Sequence, residues 1–515
     1  MTLETLGGVL AGSLARAGDR VAVRAHGDIR THRQVLDDAA RLANALAGTG
    51  ARPGDRVALM VSDQVAAVEA YLGCFLGGYV AVHVNDRLAA PEVSAILADA
   101  DPRAFGYTPD LAEKVAGVEG LDAVPCVFGV GTGQVEHVGW DGLLGSGSPR
   151  DPQVPRRPDD LAIIGYTSGT TGRPKGVMHS QLTMLRALRH MPVHFDIRPR
   201  SRCAMTGTLS FVAGLWGVLL PHLYLGGEVS FMAGLAPDEW FARMLAEGST
   251  VTYVPTPLAG AFVEQVRRHP QLLRTLRAAV HSGSQMPPDA VRAVVDAVGD
   301  RYGESYGMTE TGAPVTRTEA ADWLATSEAD DVYASAGRPV HIAEVAILAA
   351  DGARLGPGET GEIAVRSDTQ FVGYFHKPEL TEESVVDGWL RTGDLGRLDA
   401  AGYLYVTDRA KDMIVSGGMN VYPAEVEAAL AGLPGLAEIA VIGAPHERWG
   451  ETVVAIAVAR DADLDEAAVI AVARERLASY KKPTRVVFVP ALPRTASLKI
   501  DKPELRRRWA AGELG

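Results

Sequence analysis

Between residues 34 and 104 the hydrophobic period switches back and forth, and that alternation sharply limits the folds open to the chain. Residues 35–46 are Ala/Leu-rich with helical spacing, 56–61 form a short apolar run, and 64–76 return to helical spacing. Residues 80–84, Val-Ala-Val-His-Val, are again strand-like, and 90–98 again helical. Continuous apolar strands separated by helices belong in a parallel sheet covered on both faces. Similar alternation runs through 258–297, after a Pro/Gly/Ser/Arg connector at 145–157. Past about residue 335 the character changes. Short strands at 345–348, 361–366 and 403–406, split by Asp-Gly and Ala-Gly turns, predict a β-subdomain. Beyond Arg409 a small unit of about 100 residues follows, with helices at 424–430 and 466–478 and strands at 439–442 and 453–458. A chain of 515 residues exceeds one ordinary core, so two or more domains are expected.

Charge and cysteine usage narrow the function classes. The 63 acidic against 50 basic residues leave a net charge of −13, which disfavours a nucleic-acid partner. Cys74, Cys126 and Cys203 are far apart in apolar surroundings and read as buried thiols in a reducing compartment. Residues 211–227 carry no charge, yet they fall short of the ~20 apolar residues a bilayer span needs and include Pro221 and His222. A buried helix followed by a turn is expected there. The first residues, Met-Thr-Leu-Glu-Thr-Leu, lack the basic and apolar regions of a signal peptide, so a cytoplasmic protein without a membrane span is expected.

The chemistry is concentrated first in residues 166–175, Tyr-Thr-Ser-Gly-Thr-Thr-Gly-Arg-Pro-Lys, directly after the apolar run 161–165. Thr167, Ser168, Thr170 and Thr171 offer hydroxyls, Gly169 and Gly172 let backbone N–H groups approach closely, and Lys175 adds a point charge. Together they suit a nucleotide polyphosphate. This is not the Gly-x-x-x-x-Gly-Lys-Ser/Thr loop, because Arg173-Pro174 separate Gly172 from Lys175 and Gly176 follows the lysine.

The run instead closely resembles the signature loop of the adenylate-forming superfamily of acyl-CoA synthetases, luciferases and peptide-synthetase adenylation domains, most like its acyl-CoA ligases. Further motifs follow in family order, over about residues 10–505. In 302–312, Tyr-Gly-Glu-Ser-Tyr-Gly-Met-Thr-Glu-Thr-Gly, a ring beside glycines suits a stacked base, and a hydroxyl and carboxylate suit phosphate and Mg²⁺. The resemblance implies that Tyr306 and Gly307 bind adenine, Thr309 the phosphate, and Glu310 the metal. It makes Asp394, in Trp-Leu-Arg-Thr-Gly-Asp at 389–394, the ribose ligand at the end of a short strand. In 408–418 it assigns Arg409 to the ribose, Lys411 to an interdomain hinge, and Gly417 and Gly418 to a pantetheine tunnel. Near the C-terminus, Leu-Pro-Arg-Thr-Ala-Ser-Leu-Lys-Ile at 492–500 matches Pro-Arg-Thr-x-x-Gly-Lys-Ile, which makes Lys499 the catalytic lysine. Leu498 stands where the family usually has glycine.

Two other segments depart from the pattern. In Thr-Leu-Ser-Phe-Val-Ala-Gly-Leu, 208–215, aligning on Gly214 puts Phe211 where the family has histidine beside the acyl pocket, which makes that wall wholly apolar. In Ser-Gly-Ser-Gln-Met-Pro-Pro, 282–288, Gly283 and Ser284 match the Gly-rich strand end behind adenine and acyl group, while Gln285 and Met286 replace small residues. Phe211, Gly214, Trp216, Tyr253, Met286 and Met308 are therefore candidate walls of an apolar acid pocket.

The resemblance implies a large N-terminal domain of layered α/β sheets plus the β-subdomain, residues 1–409, and a small mobile α+β domain, 410–515. It implies ATP, Mg²⁺ and coenzyme A as reactants or cofactors, and a two-step reaction: carboxylate plus ATP to acyl-AMP and pyrophosphate, then CoA to acyl-CoA and AMP. One alternative enzyme stops at the acyl-adenylate or passes it to another acceptor. Another alternative is a nucleotide-sensing scaffold without turnover, against which the lysine-bearing loops argue. An amino-acid adenylation domain would place an aspartate near 211–215 to pair the substrate amine, and that segment contains none. The substrate acid is not legible, and a homodimer is the default assembly.

Overall fold

The structure is a computed structural model that describes residues 5–167, 174–323, 331–409, 412–416, 419–446, 449–460, 464–477, 480–495 and 499–514. Its contacts divide the chain into two compact units, Met1–Glu344 with Arg366–Trp389, and Val345–Val365 with Leu390–Gly515.

The first unit holds two sheets. One runs, in spatial order, Gly373–Tyr374, Lys175–Ser180, Leu161–Thr167, Val80–Val84, Arg56–Met60, Ala104–Tyr107, Cys126–Gly129. Its strands are parallel from Leu161–Thr167 onward and antiparallel on the Lys175 side. The other runs Arg338–Pro339, Thr316–Arg317, Tyr302–Tyr306, Ala278–Ser282, Val251–Tyr253, Arg202–Met205, Glu228–Phe231, Val21–Ala25, Asp28–Thr31. The central strands from Tyr302–Tyr306 to Val21–Ala25 are parallel, and the edges antiparallel.

The alternation in sequence thus becomes βα layering. Helix Val65–Leu76 is buried along its whole length, so it reads as uniformly apolar apart from Glu69. Helix His32–Gly48 begins at a reciprocal cap: Gln34 N–H donates to Thr31 Oγ1 (3.2 Å), and Thr31 N–H donates to Gln34 Oε1 (2.9 Å). Such a cap contributes about 1 kcal/mol. One continuous core joins both sheets, with Val57 and Ala81 from the first, Val23 and Val229 from the second, and Leu42, Tyr71 and Phe75 from the helices. The uncharged segment after Phe211 is helical and buried as expected. Its first part, Ala213–Leu219, is a π-helix that passes into the α-helix Leu220–Tyr224. Single π-turns of this kind concentrate at functional sites.

In the second unit, strands Gly361–Ser367, Trp389–Leu398 and Leu404–Arg409 pair antiparallel, with Ala343–Leu348 beside the first. A second sheet is built on the antiparallel pair Leu436–His446 and Gly450–Ala459. Alternation along that pair feeds two cores. Val441, Val453 and Ala455 join Val426 and Val469 on one face, and Ala440, Ile442, Val454 and Ile456 join Leu492 and Leu505 on the other. Both faces are therefore covered, by helices Pro423–Leu430 and Glu466–Arg476 on one side and Lys502–Ala510 on the other. The three cysteines are free and buried. Among the described residues no helix is long and apolar enough to cross a membrane.

Candidate active site

Strand Leu161–Thr167 runs into the hydroxyl-rich loop, and strand Lys175–Ser180 returns from it antiparallel, with Thr167 opposite Lys175. Ser168, Gly169, Thr170 and Thr171 lie outside the described residues. The loop is thus framed by Thr167 at its entry and Lys175 at its exit. Lys175 Nζ lies 2.8 Å from Glu310 Oε1 and 2.8 Å from the Tyr374 hydroxyl, which in turn donates to Glu310 Oε1 at 2.9 Å. The ammonium also sits 4.3 Å from the centre of the Tyr374 ring. Glu310 is buried, and both donors meet its carboxylate at the same oxygen. Burial and the Glu310 charge push the Tyr374 phenol above its ordinary pKa, which keeps it a donor.

The turn that carries Thr309 and Glu310 is pinned from several sides. His179 Nε2 is 2.8 Å from the Thr309 carbonyl; since a carbonyl only accepts, Nε2 bears the proton. Burial lowers the His179 pKa to about 4, so the ring stays neutral and its tautomer fixed. Phe371 N–H donates to the Glu310 carbonyl (2.8 Å), and Thr369 Oγ1 to the Thr311 carbonyl (2.7 Å). Gly165, on the entering strand, lies against the same turn: a β-carbon there would meet Val212 Cγ1 at 3.0 Å, Thr309 Cγ2 at 3.3 Å and the Trp216 ring at 3.5 Å.

A second group of predicted residues lies at the C-terminal ends of three neighbouring parallel strands, where ligands bind in open α/β sheets. Tyr253 ends one strand and donates its hydroxyl to the Ser282 carbonyl at the end of the next. Gly283 follows with φ +87°, a conformation that favours glycine, and turns Ser284 outward to an exposed position. Tyr306 ends the third strand, half-buried, with Gly307 and Met308 after it. A β-carbon on Gly307 would come within 3.1 Å of Ala313 O and Pro314 Cα, so the loop folds tightly on itself.

Behind this edge lies a buried network. His281 Nδ1 is 2.6 Å from Glu304 Oε1, and Tyr302 donates to Glu304 Oε2 at 2.5 Å. His281 Nε2 faces Thr256 Oγ1 at 2.9 Å and Ser284 Oγ at 3.3 Å.

Around Phe211, expected as part of an apolar wall, charged groups stand close by. Phe211 is half-buried, and the Arg87 guanidinium stands 5.3 Å from its ring centre. Ser210, just before it, lines a polar cavity of about 320 Å³ together with Asp63, Asp86, Arg87, Lys114 and Thr208. Asp63 accepts from Leu209 N–H at 2.7 Å, and burial pushes its carboxyl up to about 6. Gly214 is dictated by close approach: its β-carbon would lie 2.2 Å from the Thr208 carbonyl. Trp216 and Met286, expected as pocket walls, are both buried, the first edge-on to His179 and the second under the Tyr302 hydroxyl at 3.5 Å.

In the second unit Asp394 is not at a strand end. It lies within the long strand Trp389–Leu398, buried, just after Gly393 at φ +72°. The Thr392 hydroxyl accepts from Asp394 N–H (3.1 Å) and donates to the Ile363 carbonyl (2.8 Å). Asp394 and Arg409 are register partners on adjacent antiparallel strands, which brings these two predicted ribose residues to one place. Lys499 is exposed, its carbonyl accepts from Thr495 N–H (2.8 Å), and Arg494 bridges to Ile500. The Arg409 side chain, Lys411, Gly417, Gly418 and Leu498 lie outside the described residues.

The family model described as AMP-binding enzyme matches residues 10–375, and that of its C-terminal domain matches 425–499. The chain belongs to the AMP-binding enzyme family. It is 35% identical to a feruloyl-CoA synthase of an Amycolatopsis species over 95% of this chain and 96% of the relative. It is also 35% identical to the long-chain-fatty-acid–CoA ligase FadD13 of Mycobacterium tuberculosis, over 94% of each. Among solved structures, the o-succinylbenzoate CoA synthetase of Bacillus subtilis in complex with its acyl-adenylate intermediate matches with TM-score 0.86, at 26% identity, over 98% of this chain and 99% of that one. The expected α/β class, with a large N-terminal and a smaller C-terminal part, is the fold found.

For an AMP-binding enzyme, the donor set at Glu310 fits a magnesium ion. One carboxylate suffices where substrate phosphates and water complete the shell, and both protein donors converge on Oε1, leaving Oε2 unused by either. Among the described residues no group of three or more ligating side chains forms a protein-only metal cage. Sequence reading missed Tyr374, His179, Arg87 and Glu304. Tyr374 reaches Lys175 across 199 residues of chain, a pairing that no local motif announces.

Proposed function

We propose that this AMP-binding enzyme is an ATP-dependent carboxylic acid:CoA ligase that works through an acyl-adenylate on an apolar fatty, aromatic or alicyclic acid. The observation that carries the reading is the convergence of Lys175, Tyr374 and Glu310 at the exit of the hydroxyl-rich loop, beside the turn bearing Thr309. It is supported by relatives that act as CoA ligases on ferulate-type and fatty acids.

The acid's carboxylate oxygen attacks the α-phosphorus of ATP, and pyrophosphate leaves. Thr167 and the loop that follows donate to the departing phosphates, and Lys175 adds charge as it builds. The Thr309 hydroxyl donates to the α-phosphate. Glu310 would hold a magnesium ion, which would supply charge neutralisation at the phosphate oxygens. Tyr306 offers its face to adenine, Asp394 and Arg409 serve the ribose hydroxyls, and Lys499 stabilises the charge shared by the carboxylate and the α-phosphate. The thiolate sulfur of CoA then attacks the acyl carbonyl and AMP leaves, with Gly417 and Gly418 lining the pantetheine path. Rate comes from positioning and charge stabilisation. The domain boundary falls at 409/410, with Lys411 as the hinge, and the enzyme acts in the cytoplasm.

A panel of carboxylic acids with ATP, Mg²⁺ and CoA tests this reading. Acid-dependent pyrophosphate release with loss of free thiol is expected. Pyrophosphate release without thiol loss would make CoA the wrong acceptor, and release independent of any acid would end the ligase reading. Lys499→Ala should slow acyl-AMP formation by about 10²–10³-fold. A variant that forms the adenylate at the parental rate removes Lys499 from the mechanism.

A further inference from the structure

The network behind Ser284 holds more polar chemistry than joining two strands requires. His281 and Glu304 are register partners on adjacent parallel strands, so their side chains share one face. His281 Nδ1 and the Tyr302 hydroxyl occupy the two carboxylate oxygens of Glu304. That cross-link is complete by itself. The other ring nitrogen continues it outward, to Thr256 Oγ1 (2.9 Å), and Thr256 Oγ1 continues to Ser284 Oγ (2.9 Å). His281 and Glu304 are buried, whereas Ser284 is exposed at the ligand-binding edge of the sheet. The chain therefore leads from a buried carboxyl group to one surface hydroxyl.

The Thr256 and Ser284 hydroxyls can each donate and accept, so the chain runs in either sense and presents either a lone pair or a proton at Ser284. A ligand hydroxyl, donor and acceptor at once, meets both, whereas an ether oxygen can only accept and a methyl group does neither.

We propose that Ser284, oriented through Thr256 by the His281–Glu304 pair, reads a hydroxyl carried on the substrate acid, so that the preferred substrates are hydroxylated and not plain hydrocarbon acids. This inference rests on the ligase reading above. His281 and Glu304 are positioning residues, and Ser284 is the group that touches substrate.

The test compares matched acids of one skeleton bearing hydroxyl, methoxy or methyl at the same ring position, scored by ATP- and CoA-dependent AMP release. The parent enzyme should prefer hydroxyl over methyl by about 10- to 100-fold in kcat/KM. Ser284→Ala and Thr256→Val should each bring that ratio to within about threefold of unity. For the parent, the methoxy-to-methyl ratio should lie between unity and the hydroxyl-to-methyl ratio, a readout that needs no variant to fold. A parental ratio near unity overturns the proposal. So does a ratio that Ser284→Ala leaves unmoved while the KM for ATP rises, which would give this hydroxyl to the nucleotide. Failure of every acid in the panel brings down the ligase reading and this inference together; turnover with no hydroxyl preference brings down the inference alone.

Discussion

Glu304 and Glu310 flank the same aromatic loop, and each buried carboxylate accepts from a tyrosine hydroxyl and faces a basic nitrogen. They differ in how the oxygens are used. At Glu304 the two partners take one oxygen each, which closes the group into the fold. At Glu310 lysine and tyrosine crowd onto Oε1, and the partner is a long side chain able to move toward a phosphate. The same residue types can thus make a strut or a working ligand, and the distribution of donors over the two oxygens separates them.

That distinction can be broken by experiment. Glu310→Gln should lower acid-dependent pyrophosphate exchange by about 10²–10³-fold and raise the magnesium concentration needed for half-saturation. Equal magnesium dependence in parent and variant would make Glu310 a strut as well. Glu304→Gln keeps one accepting oxygen but turns an amide NH2 toward the other buried partner, so its loss should appear mainly as about 3 kcal/mol of stability, read by urea unfolding. An unchanged midpoint would show that the network is dispensable to the fold.

The His179 contact sharpens the comparison through pH. Its folded pKa, about 4, lies below the ordinary 6.5, so between these values the unfolded chain holds a proton that the folded chain lacks. Stability from this group is complete above pH 6.5 and is lost as pH falls toward 4, with a slope of about 1.4 kcal/mol per pH unit. His179→Asn should flatten the acid limb of a stability–pH curve by up to that slope. The mildest effect is expected from Tyr374→Phe, which keeps the ring over Lys175 and removes one donor from Glu310: about 1 kcal/mol, or some fivefold to tenfold in kcat for adenylation. A tyrosine-independent rate would leave Lys175 alone in charge of the carboxylate.

Much of this was legible from the residues in order. The strand at 80–84, the apolar run 161–165 and the helices at 64–76 and 424–430 announce themselves by apolar pattern, because each is local. The loop motifs are equally local. What escaped reading is register. His281 meets Glu304, and Asp394 meets Arg409, only because neighbouring strands align at those rungs. Asp394 looked terminal because Gly393 resembles a turn residue, yet the strand passes through it with a local irregularity. The approach of Arg87 to the Phe211 ring was illegible as well, because the two lie far apart in sequence.

Gly165 has a practical consequence for anyone who would retool this enzyme. A β-carbon there would meet Val212 just before the π-helix, Thr309 on its turn, and the Trp216 indole, all at once. A larger residue at this position would push on all three neighbours together. Changes meant to reshape acid preference should therefore start at the Ser284 edge, where the side chain faces open space and the nucleotide-handling turn is left alone.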